Sequence, residues 1–413
     1  FSLFHQPSPP STALAPILDP SELVEEERNP TYSPDTYYHA RLGEVLRGRY
    51  QIALKLGHGA SSTVGWPEIF GGYFRWQENR YVAIKINATH EYARRKGFGY
   101  EAAMHQRIAA ANPRHFGFHF VRKLLDVFSI AGMRADQAHE CLVFEPLREP
   151  LTMYRGRYEG GVVPPIMIKF IVRMMLLALE YLHSECRVIH TDVKPGNIMV
   201  TFEDEIILAE NVEDEFQHPA PLKHADDGRV LYLSRHNFGP LRDISGIVAL
   251  ADFGLAVTGD EPRSGLIQAS VYRSPEVILG GEYGYSADVW SLGVMIWYLL
   301  EGRDLFDSVG RGDEPYNDQV HLAYITALLG PRPKGVAEGS WTSTYYFPDG
   351  RFKDRRLIPT DFSFESTVTR LEGEEKRMLI EFAKRILTWC PNRRSTPKEL
   401  LEDPWLEEAW LES

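Results

Sequence analysis

The sequence predicts an α+β protein with two lobes, because segments with strand character come first and segments with helix character follow. Strand character is seen in residues 51–56, 81–86 and 141–144, with one helix-prone segment at 92–110 among them. The pattern changes after Pro165, and the helices predicted there are 166–183, 287–301, 320–329, 374–388 and 397–401. Strands gathered in one part of a chain and helices in another are typical of α+β architecture.

Composition and charge narrow the function classes. A chain of 413 residues that is 44% hydrophobic and 25% charged can form a sizeable core. The net charge of −12 argues against tight, sequence-independent binding to nucleic acid and suits a basic protein partner. The apolar stretches 166–182 and 291–300 predict buried helices, since charges interrupt the first and the second is too short to span a membrane. Three widely spaced cysteines favour a reducing compartment.

The chain divides into an N-terminal arm and one large domain. Residues 1–36 contain seven prolines among serines and acidic residues, which predicts a disordered or loosely attached arm. The domain covers 37–410, with an N-terminal lobe at about 37–146 and a C-terminal lobe at about 147–410. Residues 66–78 lengthen the first hairpin, either as a real insertion or through an error in the underlying gene model. Residues 203–245 form a short spacer, acidic first and then loop-like.

Two features of the N-terminal lobe concern a phosphate-bearing ligand. Gly57 and Gly59 let a hairpin turn tightly and bring backbone N–H groups close to phosphate oxygens, although such a turn is more often only a turn. Lys85 follows on an apolar strand, where an unpaired ammonium is costly. Glu101, on the next predicted helix, is placed to pair with it. The alternative is a lysine whose head reaches solvent from an edge strand.

The strongest local signal lies in residues 188–199. Asp192 and Asn197 are five positions apart in a loop closed by Pro195 and Gly196. Such a loop can aim a carboxylate at an incoming hydroxyl while the amide oxygen reaches a metal ion. Lys194 between them can neutralise charge on a transferring phosphoryl group. A loop with only a structural role does not need these three groups together.

Further motifs follow in order along the chain. Asp252 ends an apolar strand and, with Asn197, supplies the hard oxygen ligands that Mg²⁺ favours, although the segment alone is an ordinary exit from a strand. A Ser-Pro-Glu triplet ends at Glu276, and Asp288 opens a helix. A buried pair between Glu276 and the distant Arg394 would tie the substrate-facing segment to the C-terminal helices.

Over residues 37–410 this ordered set resembles the eukaryotic protein kinases. The resemblance implies the bilobal protein-kinase fold, with a β-rich N-lobe, a mainly helical C-lobe and ATP between them. It also implies transfer of the ATP γ-phosphate with Mg²⁺ as cofactor. Lys194 in the catalytic loop is the pattern of serine/threonine kinases. A small-molecule phosphotransferase is disfavoured, because such enzymes usually lack the Ser-Pro-Glu and Asp-Val-Trp-Ser elements.

The resemblance implies a role for each matching residue. The residues implied to bind ATP are Leu56, Gly57, His58, Gly59, Ala60, Ser61, Ser62, Val64, Ala83, Lys85, Phe144, Glu145, Leu147 and Met199. The catalytic residues are Asp192, Lys194, Lys85 and Glu101, and the metal ligands are Asn197 and Asp252. Structural roles fall to His190, Phe253, Gly254, Glu276, Asp288 and Arg394, and the substrate segment contains Ser270, Tyr272 and Arg273.

Within the kinases, the chain resembles the SR-protein kinases, which phosphorylate Arg/Ser-rich splicing factors. Thr191 stands where most kinases have Arg, and an insert at about 303–360 fits the same family, as does the short, fungal-type spacer. The resemblance implies basic Arg/Ser-rich protein substrates. We expect a monomer with no nucleic-acid or membrane partner, present in the cytoplasm and nucleus. The alternative is a catalytically weak or inactive kinase-fold scaffold.

Departures from the family pattern refine these expectations. Without the Arg that Thr191 replaces, a phosphate on the activation loop has no obvious clamp, so activity should not require one. Ala269 replaces a Thr whose hydroxyl bonds the catalytic Asp and Lys in most serine/threonine kinases. The insert offers Asp313, Glu314 and Asp318 to a basic substrate. The acidic stretch 203–215 either attracts basic peptide or is a solvated face.

Overall fold

A computed structural model describes residues 11–28, 32–57, 81–89, 100–132, 134, 137–242, 247–310 and 315–407. The chain divides into two compact units. The first unit contains residues 1–106, 122–148 and 201–246, and the second contains 107–121, 149–200 and 247–413. The N-terminal arm and the spacer both belong to the first unit. This differs from the predicted boundaries, which placed the spacer within the C-terminal lobe.

The strands are short, except for three in the first unit. In chain order they are β1 (Val45–Leu46), β2 (Tyr50–Gln51), β3 (Ala83–Thr89), β4 (Leu124–Ala131), β5 (Ala138–Phe144), β6 (Glu149–Pro150), β7 (Val188–Ile189), β8 (Ile198–Val200), β9 (Leu222–His224), β10 (Val230–Tyr232), β11 (Val248–Leu250), β12 (Val257–Thr258), β13 (Arg263–Ser264) and β14 (Glu282–Tyr283).

The helices lie mostly in the second unit. The α-helices are α1 (Glu101–Ala110), α2 (Leu151–Tyr154), α3 (Pro165–Tyr181), α4 (Ile206–Gln217), α5 (Pro275–Ile278), α6 (Ser286–Leu300), α7 (Asp318–Leu329), α8 (Thr342–Tyr345), α9 (Phe364–Thr367), α10 (Gly373–Ile386), α11 (Pro397–Leu400) and α12 (Pro404–Glu407). Short 3₁₀ segments include Glu25–Arg28, Pro34–Thr36, Phe116–Phe120, Pro195–Asn197 and Ser270–Tyr272.

An antiparallel sheet of order β3-β5-β4 forms the centre of the first unit. Its strands are rich in Val, Ile and Leu, which suit a buried pleated surface. Tyr50 stacks on Phe128 with ring centroids 5.5 Å apart. Every residue of β3 is buried, including Lys85, so both faces of this strand are covered. The register places Ala83 opposite Phe144 and Lys85 opposite Leu142.

The N-terminal arm is docked over residues 11–28, in contrast to the loosely attached arm that the sequence predicts. Leu18 N donates to Leu222 O at 2.8 Å, and Leu222 N donates to Pro16 O at 2.9 Å, so the arm pairs with β9. Val24 is 4% exposed and Glu26 is 2% exposed. Lys223 Nζ lies 2.7 Å from Glu27 Oε2. The acidic residues that suggested disorder are neutralised by lysines distant in sequence.

The spacer is also ordered, as helix α4 followed by the β9–β10 hairpin. Ile207 and Leu208 of α4 pack with Leu54 and Phe238, which explains why the spacer belongs to the first unit. Four of the seven acidic residues in 203–215 form ion pairs within the first unit, whereas the other three are exposed, so the stretch is only in part a solvated face. Glu203 pairs with Arg148, and Glu210 pairs with Arg242. Arg235 pairs with both Asp214 and Glu215.

The second unit is built on helices α3 and α6. Helix α3 begins with Pro165 at its first position, where the missing N–H costs nothing, and its apolar residues are buried. Helix α6 is buried along nearly its whole length. The expected pair is present: Arg394 Nη1 and Nη2 each lie 2.6 Å from a carboxylate oxygen of Glu276. Among the described residues, none of the helices combines the length and apolar character that a bilayer crossing requires.

Three small antiparallel sheets in the second unit hold its loops. β8 pairs with β11 and with β6, β7 pairs with β12, and β13 pairs with β14. In the insert, Asn317 caps α7 by accepting from the backbone N–H groups of Gln319 and Val320. Residues 311–314, which include Asp313 and Glu314, and the lengthened hairpin at 66–78 lie outside the described residues.

His321 is a buried titratable group of the insert. It is fully buried beside Phe306, and its Nδ1 lies 2.9 Å from the Tyr316 hydroxyl. Burial, reinforced by the charge of Arg273, lowers the pKa of His321 to about 3. In the unfolded chain the same group has a pKa near 6.5, so between these values the unfolded state binds the additional proton.

This difference predicts an acid-dependent loss of stability. The free energy of unfolding should fall as pH decreases from about 6.5 towards 3, with up to about 1.4 kcal/mol per pH unit from this residue. His321→Asn keeps an acceptor for Tyr316 and should be less stable at pH 7.5, but with a flatter decline. Urea denaturation across this pH range measures both. His119→Gln, at an exposed histidine, is the control, and a decline equally steep in His321→Asn would contradict the prediction.

Candidate active site

The first unit contributes a buried ion pair. Lys85 Nζ lies 2.8 Å from Glu101 Oε2, and both side chains are almost fully buried. Lys85 is presented by β3, and Glu101 is the first residue of α1. Leaving a buried charge without its partner typically costs about 3–5 kcal/mol, so each group holds the other in place. The pair expected from the sequence is therefore present, and it fixes an ammonium group at a defined position in the sheet.

The end of β5 carries the aromatic residue of the expected nucleotide site. Phe144 is buried between the His105 ring, at 5.0 Å between centroids, and the Arg122 guanidinium, at 4.3 Å from its ring centroid. After it, Glu145 is half-exposed and Leu147 is buried. Leu56 and Gly57 are partly buried in irregular backbone. The other predicted residues of the Gly-rich run lie outside the described residues: His58, Gly59, Ala60, Ser61, Ser62 and Val64.

The second unit holds the loop with Asp192. This loop follows β7 and is fixed by the carboxylate of Asp288, the third residue of α6. Asp288 Oδ2 accepts from His190 N and Oδ1 accepts from Thr191 N, both at 2.8 Å. Asp288 Oδ2 also lies 2.9 Å from His183 Nε2. A buried carboxylate with three hydrogen-bond partners is well satisfied, so the loop is rigidly attached to the helix.

Asp192 is held on one of its two carboxylate oxygens. Its Oδ2 accepts from Lys194 Nζ at 2.7 Å and from Asn197 Nδ2 at 2.8 Å. Asn197 Nδ2 also donates to Asp192 O at 2.8 Å. Among the described residues, none donates a hydrogen bond to Asp192 Oδ1. The side chain is 5% exposed. The geometry therefore leaves one fixed oxygen of Asp192 to accept a proton from another molecule.

The two predicted metal ligands, Asn197 and Asp252, lie next to strands β8 and β11. Asn197 precedes β8, and Ala251 N donates to Asn197 O at 2.8 Å, which brings the end of β11 beside it. Because the amide nitrogen of Asn197 is engaged by Asp192, its Oδ1 is directed elsewhere, with no donor among the described residues. Asp252 follows with φ of 64°. A hard-oxygen set of one amide and one carboxylate suits Mg²⁺.

His190 and Phe253 support this arrangement. His190 Nδ1 accepts from Asp192 N at 3.3 Å, and its Nε2 lies 3.0 Å from Ala251 O, so Nε2 carries the proton. The His190 and Phe253 rings meet edge to face, with centroids 4.9 Å apart. The two loops that carry Asp192 and Asp252 are thus joined by a buried imidazole. Two further predicted residues, Gly254 and Met199, belong to the same unit. Met199 lies on β8 opposite Ala249 of β11.

The substrate segment is anchored at several points. Tyr272 donates to Asp304 Oδ1 at 2.7 Å, and burial together with this carboxylate raises the pKa of Tyr272 well above its usual range. Arg273 lies over the Tyr316 ring at 4.8 Å and 3.6 Å from Asp318 Oδ1. Asp318, expected to receive a basic substrate, therefore already faces a cation of its own chain. Ser270 begins a 3₁₀ turn and is partly buried.

Gln268 is a residue of the site that the sequence reasoning missed. It is 7% exposed with φ of 66°. Its backbone N donates to Thr191 O at 3.0 Å, and its Nε2 donates to Ala287 O and Ser291 Oγ at 2.9 Å. Its Oε1 accepts from Ser274 N at 3.0 Å. Thr191 Oγ1 in turn donates to Leu255 O at 2.9 Å. The only feature of the sequence that could have pointed to Gln268 is that it is a single polar residue between Ile267 and Ala269.

Comparison with known proteins decides the family. Residues 50–406 match the protein kinase domain family. The chain belongs to the protein kinase family. A serine/threonine protein kinase of Aspergillus fumigatus is 36% identical, with 97% of this chain and 96% of the relative covered. The serine/threonine-protein kinase SRPK of Physarum polycephalum is 30% identical over 93% of this chain and 92% of its own length.

More distant relatives agree with this assignment. Human SRSF protein kinase 3 is 23% identical over 92% of this kinase and 90% of the relative. A kinase domain known from a crystal structure has the same fold, with a TM-score of 0.64, 22% identity and coverage of 90% of this chain and 99% of that chain. The comparisons confirm the predicted family, its fold class and its class as a serine/threonine protein kinase, which uses ATP. The roles of individual residues remain predictions.

From Thr191 and its contacts with Gln268 we predict activity that does not depend on a phosphate on the activation loop. Ser264→Ala and Ser270→Ala, alone and together, should change kcat/KM by no more than about twofold, as surface substitutions usually do. The protein should be expressed without other kinases and its mass measured before the assay. A requirement for either serine, or for prior phosphorylation, would contradict this prediction.

Gln268→Ala should lower kcat. It leaves Ser274 N without its acceptor in a buried region, at about 1–3 kcal/mol. If about 1.4 kcal/mol of this cost raises the activation free energy, kcat falls about tenfold. The matched control is Leu266→Ala, because Leu266 is 70% exposed in the same segment. If thermal stability falls in Gln268→Ala while kcat stays at the wild-type value, the residue has a purely structural role.

Proposed function

We propose that the chain is an active serine/threonine protein kinase that transfers the γ-phosphate of ATP to seryl or threonyl hydroxyls of basic, Arg/Ser-rich proteins. The observation that carries the proposal is the geometry of Asp192. Its Oδ2 is fixed by Lys194 and Asn197, while Oδ1 has no donor among the described residues. A carboxylate held in this way can orient a hydroxyl group and accept its proton.

The chemistry consists mainly of positioning and charge stabilisation. The substrate oxygen forms a bond to the γ-phosphorus, the bond from that phosphorus to the ADP oxygen breaks, and the hydroxyl proton goes to Asp192. In this proposal Lys194 would stabilise charge on the transferred group, and Lys85 would hold the α/β-phosphates. Asn197 and Asp252 would hold Mg²⁺, which supplies positive charge against the phosphate oxygens.

Two observations support a basic substrate. The net charge of −12 favours encounter with positively charged proteins. Relatives named SRPK and SRSF protein kinase 3 align over more than nine-tenths of the chain. Four carboxylates of the spacer do not add to this argument, because they pair with arginines of the same unit.

The proposal predicts selective transfer from labelled ATP to an Arg/Ser repeat peptide. Lys/Ser and Arg/Tyr repeats of equal charge are the matched peptides, and neither should be a comparable substrate. Asp192→Asn preserves the shape of the side chain but removes the proton acceptor, and should lower kcat by about 10²–10⁴. Asp349→Asn, at an exposed loop carboxylate paired with Arg351, is the matched control.

The outcomes separate the parts of the proposal. Equal transfer to Lys/Ser and Arg/Ser peptides keeps the kinase activity and rejects recognition of arginine. Transfer to the tyrosine peptide alone rejects the serine/threonine assignment. Absence of transfer to every peptide and to mixed basic proteins, with binding of Mg-ATP retained in calorimetry, favours a scaffold protein that has lost catalysis.

A further inference from the structure

A second group of buried charges lies in the first unit, at the start of the Gly-rich run. Lys55 stands two positions before Gly57, and its side chain is 2% exposed. Its Nζ lies 2.7 Å from Glu25 Oε2 and 2.6 Å from Glu26 Oε2, and it donates to Tyr232 O at 3.0 Å. An ammonium group has three donors, and these three acceptors satisfy them all.

The backbone around Lys55 is held by the spacer. Arg235 N donates to Lys55 O at 2.8 Å. Leu54 is fully buried against Ile207, Leu208 and Phe238. The segment that leads into Gly57 is thus attached to the spacer through its backbone and an apolar side chain. Its one buried cation is attached to the N-terminal arm.

The arm presents its carboxylates at a defined position. Glu25 has a φ of 39°, which is unusual for a residue with a side chain. Glu25 also accepts from Ser234 N at 2.6 Å and from Ser234 Oγ at 2.8 Å. Backbone strain of this kind persists only where surrounding contacts hold it, and it is concentrated at functional sites.

A neighbouring ion pair docks the arm without touching this segment. Lys223 Nζ is 2.7 Å from Glu27 Oε2 and donates to Glu22 O at 2.7 Å. Lys223 belongs to β9 of the spacer, and its side chain is 4% exposed. The three glutamates therefore differ in their contacts. Glu27 pairs with Lys223 of the spacer, whereas Glu25 and Glu26 pair with Lys55, and Glu25 also accepts from Ser234 of the spacer.

We propose that Glu25 and Glu26 are positioning residues for nucleotide binding, acting through Lys55 on Leu56 and Gly57. The inference rests on the proposed function, which assigns Leu56 and Gly57 to the ATP site. Without the two carboxylates, the Lys55 ammonium would be buried without the negative charges that neutralise it. It would then move towards solvent and carry the start of the Gly-rich run with it. The N-terminal arm is thus part of the nucleotide site.

The test uses the full chain with the double substitution Glu25→Gln and Glu26→Gln. The Kd for ADP, measured by calorimetry, and the KM for ATP should both rise about tenfold, whereas the KM for the peptide substrate should stay at the wild-type value. Glu27→Gln is the matched control, because it removes an equally buried ion pair of the same arm. It should lower thermal stability without changing the affinity for nucleotide.

A third variant tests the part played by Lys55. Lys55→Met in the Glu25→Gln, Glu26→Gln background removes the uncompensated cation, so the ADP Kd should return towards the wild-type value. If the double variant does not fold, Glu26→Gln alone serves the same comparison. The inference is overturned if Glu25→Gln, Glu26→Gln weakens ADP binding no more than Glu27→Gln does. Because ADP binding needs no phosphotransfer, wild type that binds ADP but transfers no phosphate rejects the proposed function and leaves this test valid.

Discussion

The arrangement of the catalytic loop depends on the carboxylate of Asp288. This side chain is 1% exposed and accepts from the backbone N–H groups of His190 and Thr191. These two hydrogen bonds hold His190 and Thr191, which precede Asp192, at fixed distances from helix α6. A buried carboxylate left without these donors would be costly, so the loop and the helix stabilise one another. The fixed direction of Asp192, and with it the capacity to orient a hydroxyl, follows from this contact.

The site residues that could be predicted from the sequence have partners that lie near them in the chain. Asp192, Lys194 and Asn197 meet within one loop, so their proximity could be predicted from six positions of sequence. Lys85 and Glu101 are 16 positions apart, and their pairing follows from the cost of a buried ammonium group. The major helices were likewise predicted to within a few residues, since long apolar segments are buried wherever they occur.

The residues that the sequence did not identify obtain their roles from distant partners. Glu26 and Lys55 are 29 positions apart, and Glu27 and Lys223 are 196 positions apart. Composition classed the arm as loosely attached because charge and proline content describe a segment in isolation. The spacer shows the same effect, since Glu203 and Glu215 pair with arginines that the local sequence pattern does not identify. Gln268 was missed for a related reason, because its role rests on five hydrogen bonds to residues elsewhere in the chain.

Strained backbone occurs in the catalytic loop, in the substrate segment and, separately, in the arm. Seven described residues other than glycine have positive φ, and four of them are Glu25, Thr191, Asp252 and Gln268. For Thr191, a β-branched residue, this conformation is especially unfavourable. It persists because Asp288 holds its N–H and Gln268 holds its carbonyl. We expect these internal bonds to take the place of the Arg–phosphate contact that Thr191 removes. The prediction that no phosphate is required follows from this, because neutral groups and a buried carboxylate already hold the strained backbone of Thr191.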